Sequence, residues 1–144
     1  MEFIEKFKFY FLGFLVTINI FAYQMVFDIL SQNQLKIYAL NVGQGEANLI
    51  TYKNLNILID AGPSSKTANL LDRFIPIYNR KLDLVFISHP NSDHYNGMFE
   101  ILKRYQVRTL ILNGVEEDSQ SFKDLLSLVS KNNIPIVYGR RGEN

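Results

Sequence analysis

Two hydropathy regimes divide the chain. From Phe9 to Phe27 no charged residue interrupts an apolar run, and its length approaches the roughly 20 residues that cross a hydrocarbon core. Thr17, Asn19 and Gln24 are its few polar residues; otherwise it is apolar all round, unlike a soluble helix with one polar face. Tyr10 and Tyr23 lie toward its ends, where amphipathic rings favour the headgroup region. No small-residue cleavage pattern follows, so the run predicts an uncleaved anchor over residues 1–30. Ser31-Gln-Asn-Gln34 is then a short polar linker.

From Leu35 onward the apolar runs shorten to the period of a sheet-containing domain, expected over residues 35–144. Strands are predicted at Leu35 to Val42, Ala47 to Tyr52 and Leu55 to Asp60, separated by the turn signals Gly43-Gln-Gly45 and Lys53-Asn54, as an antiparallel meander. Lys66 to Asn79 places Leu70, Leu71, Phe74 and Ile75 on one helical face, with Pro76 kinking or ending it. Leu82 to Ser88 is nearly all apolar, as expected of a strand buried on both faces. A helix near Gly97 to Tyr105, a strand at Val107 to Asn113, a helix over Ser119 to Lys131 and a strand at Ile134 to Tyr138 complete an alternation that predicts a mixed α/β sheet.

Composition narrows the chemistry more than the partner. The formal charge is +1 over 144 residues, so there is no bulk electrostatic case for nucleic acid. Cysteine is absent, which removes disulfides, thiolate zinc sites and thiol nucleophiles together. Any metal here must use His, Asp, Glu or Asn. Lys6 and Lys8 precede the apolar run and the next basic residue is Lys36, so the positive-inside tendency places the domain on the extracytoplasmic side of a single-pass anchor.

Both histidines fall in one loop, His89-Pro-Asn-Ser-Asp93-His94, directly after the apolar strand. Imidazole and carboxylate suit a borderline divalent metal, and a tight loop can turn neighbouring side chains toward different ions. Taken alone, the same residues equally describe a polar loop with exposed histidines, because short motifs recur by chance.

Three motifs in order give this loop a context: Asn41-Val-Gly-Gln-Gly-Glu46, Ile57-Leu-Ile-Asp-Ala-Gly62 and Ile87-Ser-His-Pro-Asn-Ser-Asp-His-Tyr-Asn-Gly97. Together they resemble the metallo-β-lactamase superfamily, and within it the hydrolase domain of ComEC-type proteins of DNA-internalisation competence. The resemblance covers roughly Leu35 to Gly114. It implies half of an αββα sandwich, preceded here by one transmembrane helix, and a site for two divalent metal ions, with zinc first and manganese as the alternative.

Carried over by position, the resemblance makes His89 a ligand of the first metal, with Asn91 at a position where the superfamily usually has a second His. Asp93 and His94 become ligands of the second metal, and Asp93 also takes the catalytic position. Asp60 becomes a supporting residue that hydrogen-bonds the loop. The amide of Asn91 offers only a carbonyl oxygen, a weaker donor than imidazole. Glu46 stands where the competence branch commonly has Asp and is given no catalytic role.

In the superfamily a second, similar half supplies further His and Asp ligands, and no histidine follows His94 in this chain. The expectation is therefore a first half, completed by a further segment or a separate chain. The implied activity is metal-dependent hydrolysis of a phosphodiester, with the membrane and DNA as partners. Lys103, Arg104 and Arg108 could follow a phosphate backbone, although a solvated helix face explains them more simply. Two other readings stand beside it: a non-catalytic membrane-tethered module on the same scaffold, and a hydrolase of another phosphodiester or ester.

Overall fold

A computed structural model describes residues 2–31, 34–115 and 117–139. The chain divides into two compact units at Gln34 and Leu35. The first unit is a single helix, α1 (Glu2–Ser31), in which Lys6–Phe27 is long and apolar enough to cross a membrane. Two of its interior polar residues are absorbed locally. Thr17 Oγ1 donates to the Gly13 carbonyl at 2.8 Å and Asn19 Nδ2 to the Leu15 carbonyl at 2.9 Å. Side chains that bond one turn back expose less polarity to lipid.

The second unit is an α/β domain built on one mixed sheet. Strands β1 (Lys36–Ala39), β2 (Asn48–Tyr52) and β3 (Leu55–Ile59) form the predicted antiparallel meander. Beyond β3 the sheet turns parallel through β5 (Leu84–Ile87), β7 (Leu110–Leu112) and β8 (Ile136–Tyr138), in the order β1-β2-β3-β5-β7-β8. The crossovers carry α2 (Lys66–Leu71), the one-turn α3 (Ser92–Tyr95), α4 (Met98–Arg104) and α5 (Gln120–Lys131). Ser119 caps α5 as its hydroxyl accepts from the Phe122 N–H, which satisfies one of the helix's otherwise orphaned donors.

Side-chain alternation sorts the sheet into two unlike faces. One row, Tyr38, Leu49, Leu58, Val85, Leu110 and Ile136, runs in register across all six strands into the hydrophobic core. There it packs with Leu71, Met98, Ile101, Phe122 and Leu125 from the helices. The next row, Ala39, Asn48, Ile59, Phe86, Ile111 and Val137, faces the other way and is only half-buried or exposed. β5 thus departs from the expectation of burial on both faces: Val85 and Ile87 are buried, while Leu84 and Phe86 are not.

Three further differences have local causes. The apolar run expected as one strand over Leu82 to Ser88 splits at Asp83 into β4 (Lys81–Leu82) and β5. The run at Val107 to Asn113 splits likewise into β6 (Gln106–Val107) and β7, and β4 pairs with β6 as a separate parallel ribbon. Asp83 anchors the break, since one carboxylate oxygen accepts from the Asn56 N–H at 3.0 Å while the other meets Lys81 Nζ at 2.5 Å. The helix expected over Lys66 to Asn79 stops at Leu71. Pro76 starts a short 3-10 turn over Ile77–Asn79, and Phe74 leaves the helical face to stack on Tyr38 at 4.2 Å.

Candidate metal centre

The site forms where the parallel strands end. Asp60 closes β3 with a left-handed φ of 58°, a backbone conformation that Asp tolerates better than most residues. That turn sends its carboxylate into the protein, where it is 1% exposed. Ser88, the residue after β5, donates its N–H to Asp60 Oδ1 at 2.8 Å and its hydroxyl to Oδ2 at 2.7 Å. The same Oδ2 lies 3.0 Å from His94 Nδ1. One buried carboxylate therefore ties β3, β5 and α3 together.

This network also orients the imidazoles. Because the Ser88 proton is committed to Asp60, the 3.0 Å contact of Ser88 Oγ with His89 Nδ1 requires the ring to donate. His94 Nδ1 likewise donates to Asp60. Nε2 is then the nitrogen of each ring left for a ligand, the arrangement in which a carboxylate or hydroxyl behind a histidine prepares it to bind metal. The two rings lie 3.7 Å apart between centroids. Asp93 Oδ2 is 3.6 Å from His94 Nε2, so Asp93 reaches the side of the ring that is open.

Backbone packing holds this geometry. A Cβ on Gly45 would run into the carbonyl oxygen of Asp93, so the β1–β2 loop lies directly against the histidine loop. A Cβ on Gly97 would run into the Ala61 carbonyl oxygen, which presses the start of α4 against the Asp60-Ala-Gly62 turn. The Ala61 N–H donates to the His94 carbonyl at 2.6 Å, and Asn113 at the end of β7 donates to the Ser88 carbonyl at 2.6 Å.

Of the residues singled out from sequence, His89, Asp93, His94 and Asp60 come together. Asn91 has an exposed side chain and stands at the N-cap of α3 without making a capping hydrogen bond. Two participants were not assigned. Ser88 links Asp60 to both histidines, and its place between a strand end and His89 was the available signal. Glu46, given no role, has a carboxylate oxygen that forms, with atoms of Asp60 and His94, a group within 4.8 Å of one another.

The charges suit a cation. Glu46, Asp60 and Asp93 gather around His94, whose ring lies against that of His89, and among the described residues no Lys or Arg forms an ion pair with any of the three. Carboxylates gathered at one site repel one another, and a divalent ion would relieve that repulsion with nitrogen and oxygen ligands of the right kind. By contrast, Lys103 and Arg104 pair with Glu100, and Arg104 also reaches Asp72. Arg108 lies 3.5 Å from Asp83. These cations are already engaged. Beyond the ends of β7 and β8 lies an open groove of about 830 Å³, lined among others by Gly114, Glu117, Lys123 and Tyr138. Lys123 pairs with the exposed Asp118 at 2.6 Å, while Glu116 lies outside the described residues.

A mixed sheet with an imidazole-carboxylate cluster at its strand ends defines the class as an α/β domain with a candidate metal site, and comparison with known proteins supplies the family. Residues 40–125 match the Metallo-beta-lactamase superfamily, and the chain belongs to it. It is 33% identical over 85 residues to Recombination protein 2 of Haemophilus influenzae, a match covering 56% of this chain and 11% of that protein. The chain thus spans about a tenth of the curated relative it matches. The metallo-beta-lactamase fold protein YhfI from Bacillus subtilis superposes with a TM-score of 0.56 at 15% identity, covering 76% of this chain and 47% of that one. The chemotaxis sensor ODP, solved as a peroxy diiron species, matches with a TM-score of 0.44 at 25% identity over 54% of this chain and 33% of its own.

Proposed function

We propose that this domain is the membrane-tethered, metal-binding half of a hydrolase that cleaves a phosphodiester, with DNA as the substrate. The observation that carries the reading is the convergence of His89, Asp93 and His94 at the end of β5, with Asp60 fixing both rings through Ser88. His89, Asp93 and His94 are the residues to hold divalent metal, zinc or manganese. Bound there, such ions supply Lewis acidity and a nucleophilic hydroxide at neutral pH. The protein's own part is to hold the two rings in place through Asp60 and Ser88, and to place the Asp93 carboxylate beside them as an acceptor for the proton of an attacking water.

The likeness to Recombination protein 2 supports DNA over other phosphodiesters, and the apolar Lys6–Phe27 segment supports a single-pass anchor. The positions of Lys6, Lys8 and Lys36 favour an extracytoplasmic domain. Catalytic zinc sites normally have three protein ligands per ion, and His89, Asp93 and His94 divided between two ions fall short of that. A further segment or a partner chain would complete the site and cover the half-exposed row containing Ile59, Phe86 and Ile111.

Asn91 favours a second reading, a non-catalytic module, because an exposed amide replaces a strong ligand. Release of acid-soluble nucleotide from DNA separates the two. Membranes carrying the complete gene product should release it with zinc or manganese, and His94→Ala should abolish release. Bound metal without release in the unaltered protein contradicts the nuclease and supports the module. Protease added to intact spheroplasts should degrade the domain; full protection would reverse the orientation.

A further inference from the structure

Glu46 is the feature that the family reading leaves over. It lies outside the histidine loop, on the β1–β2 connection, and its side chain is exposed to solvent. Its placement depends on Gly45, whose φ of 117° and contact with the Asp93 carbonyl allow the connection to lie against the histidine loop.

The three members of the Glu46, Asp60 and His94 group are not equivalent. Both oxygens of Asp60 are engaged, one by the Ser88 N–H and the other by the Ser88 hydroxyl and His94 Nδ1. Asp60 is thus committed to holding the histidines. Among the described residues Glu46 has no hydrogen bond and no cation partner, so its lone pairs are free. An unpaired carboxylate within 4.8 Å of a buried carboxylate is a repulsive arrangement unless a cation joins them.

Resting on the metal-centre reading above, we propose that Glu46 is a direct metal ligand, binding the same divalent ion as His94 and adding a hard oxygen donor to a set weakened at Asn91. Together they offer that ion one imidazole and one free carboxylate, with Asp93 3.6 Å from the same ring's Nε2. Such an oxygen-rich set shifts preference toward manganese relative to zinc.

The test is metal binding by the full chain in detergent, with free manganese read by its electron paramagnetic resonance and cobalt by its visible absorption. Glu46→Gln keeps the size of the side chain and removes the charge at an exposed position, so folding should be retained and is checked by circular dichroism. The expected result is a loss of manganese affinity of at least about tenfold, a smaller loss for zinc, and a changed cobalt spectrum. Glu46→Asp should recover part of the affinity. Equal manganese affinity and an unchanged cobalt spectrum in Glu46→Gln would overturn the proposal and leave the metal centre standing. Failure of the unaltered chain to bind either ion would overturn both.

Discussion

The two ends of the parallel strands treat carboxylates in opposite ways. At the N-terminal end of β5, Asp83 meets Lys81 at 2.5 Å and Arg108 at 3.5 Å, and nearby Asp72 meets Arg80 at 3.1 Å and Arg104 at 3.3 Å. At the C-terminal end, Asp60, Asp93 and Glu46 gather around His94, and Glu46 and Asp60 also lie near each other. Charges at the first end are paired with opposite charges and tie elements together. At the second end the uncompensated charge is concentrated where the strands stop, the place where open parallel sheets bind their ligands. Charge in a fold therefore signals function where its pairing is incomplete.

The sharpest break of this contrast is Asp60→Asn. The amide keeps the shape and one acceptor but loses the charge that holds His94 Nδ1–H and the Ser88 hydroxyl. Metal affinity should fall about 10- to 100-fold, as for supporting residues behind metal-bound histidines, while the fold persists. Calorimetric titration with zinc checks it, and unchanged affinity would remove Asp60 from the site.

Much of this contrast was legible in the chain and some was not. The meander and the three motifs follow from short-range periods and spacing, so β2 and β3 form within the expected runs Ala47 to Tyr52 and Leu55 to Asp60. The breaks at Asp83 and at Arg108-Thr109 were hidden, because β4 and β6 are two residues each and exist only through pairing with one another. Burial of β5 on both faces was overread: the row with Leu84 and Phe86 is apolar in sequence, yet the described helices cover only the other side. Glu46 was missed because its approach to His94 depends on how closely Gly45 packs on Asp93, a tertiary contact that no local pattern encodes.

Gly97→Ala should act on packing instead of charge. Its Cβ meets the Ala61 carbonyl oxygen, so the turn carrying Asp60 and the start of α4 must separate, at about 1–3 kcal/mol. Denaturant unfolding would register this as a lower midpoint with an unchanged slope. An unaffected midpoint would mean that the two loops are not held as tightly as the contact implies.

The smallest effect belongs to the paired end. Burial raises the Asp83 pKa, but Lys81, the Asn56 N–H and Arg108 outweigh it and hold the carboxyl below its ordinary value. A group depressed in the folded state contributes stability above its unfolded pKa, and this is lost as pH falls through the folded value. Asp83→Asn should therefore cost under about 1 kcal/mol at neutral pH and nothing at the most acidic pH where the fold survives. Thermal melts across pH 3 to 7, on the order of the ordinary carboxyl range and above, would show the two proteins converging in acid. Parallel melts at every pH would assign Asp83 a purely steric role.

The central claim is that the C-terminal end of the sheet holds divalent metal through the loop histidines. Equilibrium dialysis of the full chain against micromolar zinc, beside His94→Ala, tests it most directly. The account predicts weak zinc retention by the unaltered chain, whose ligands fall short of three per ion, and none by His94→Ala, with both proteins equally folded by circular dichroism. Equal zinc in the two proteins, or none in either, would contradict it.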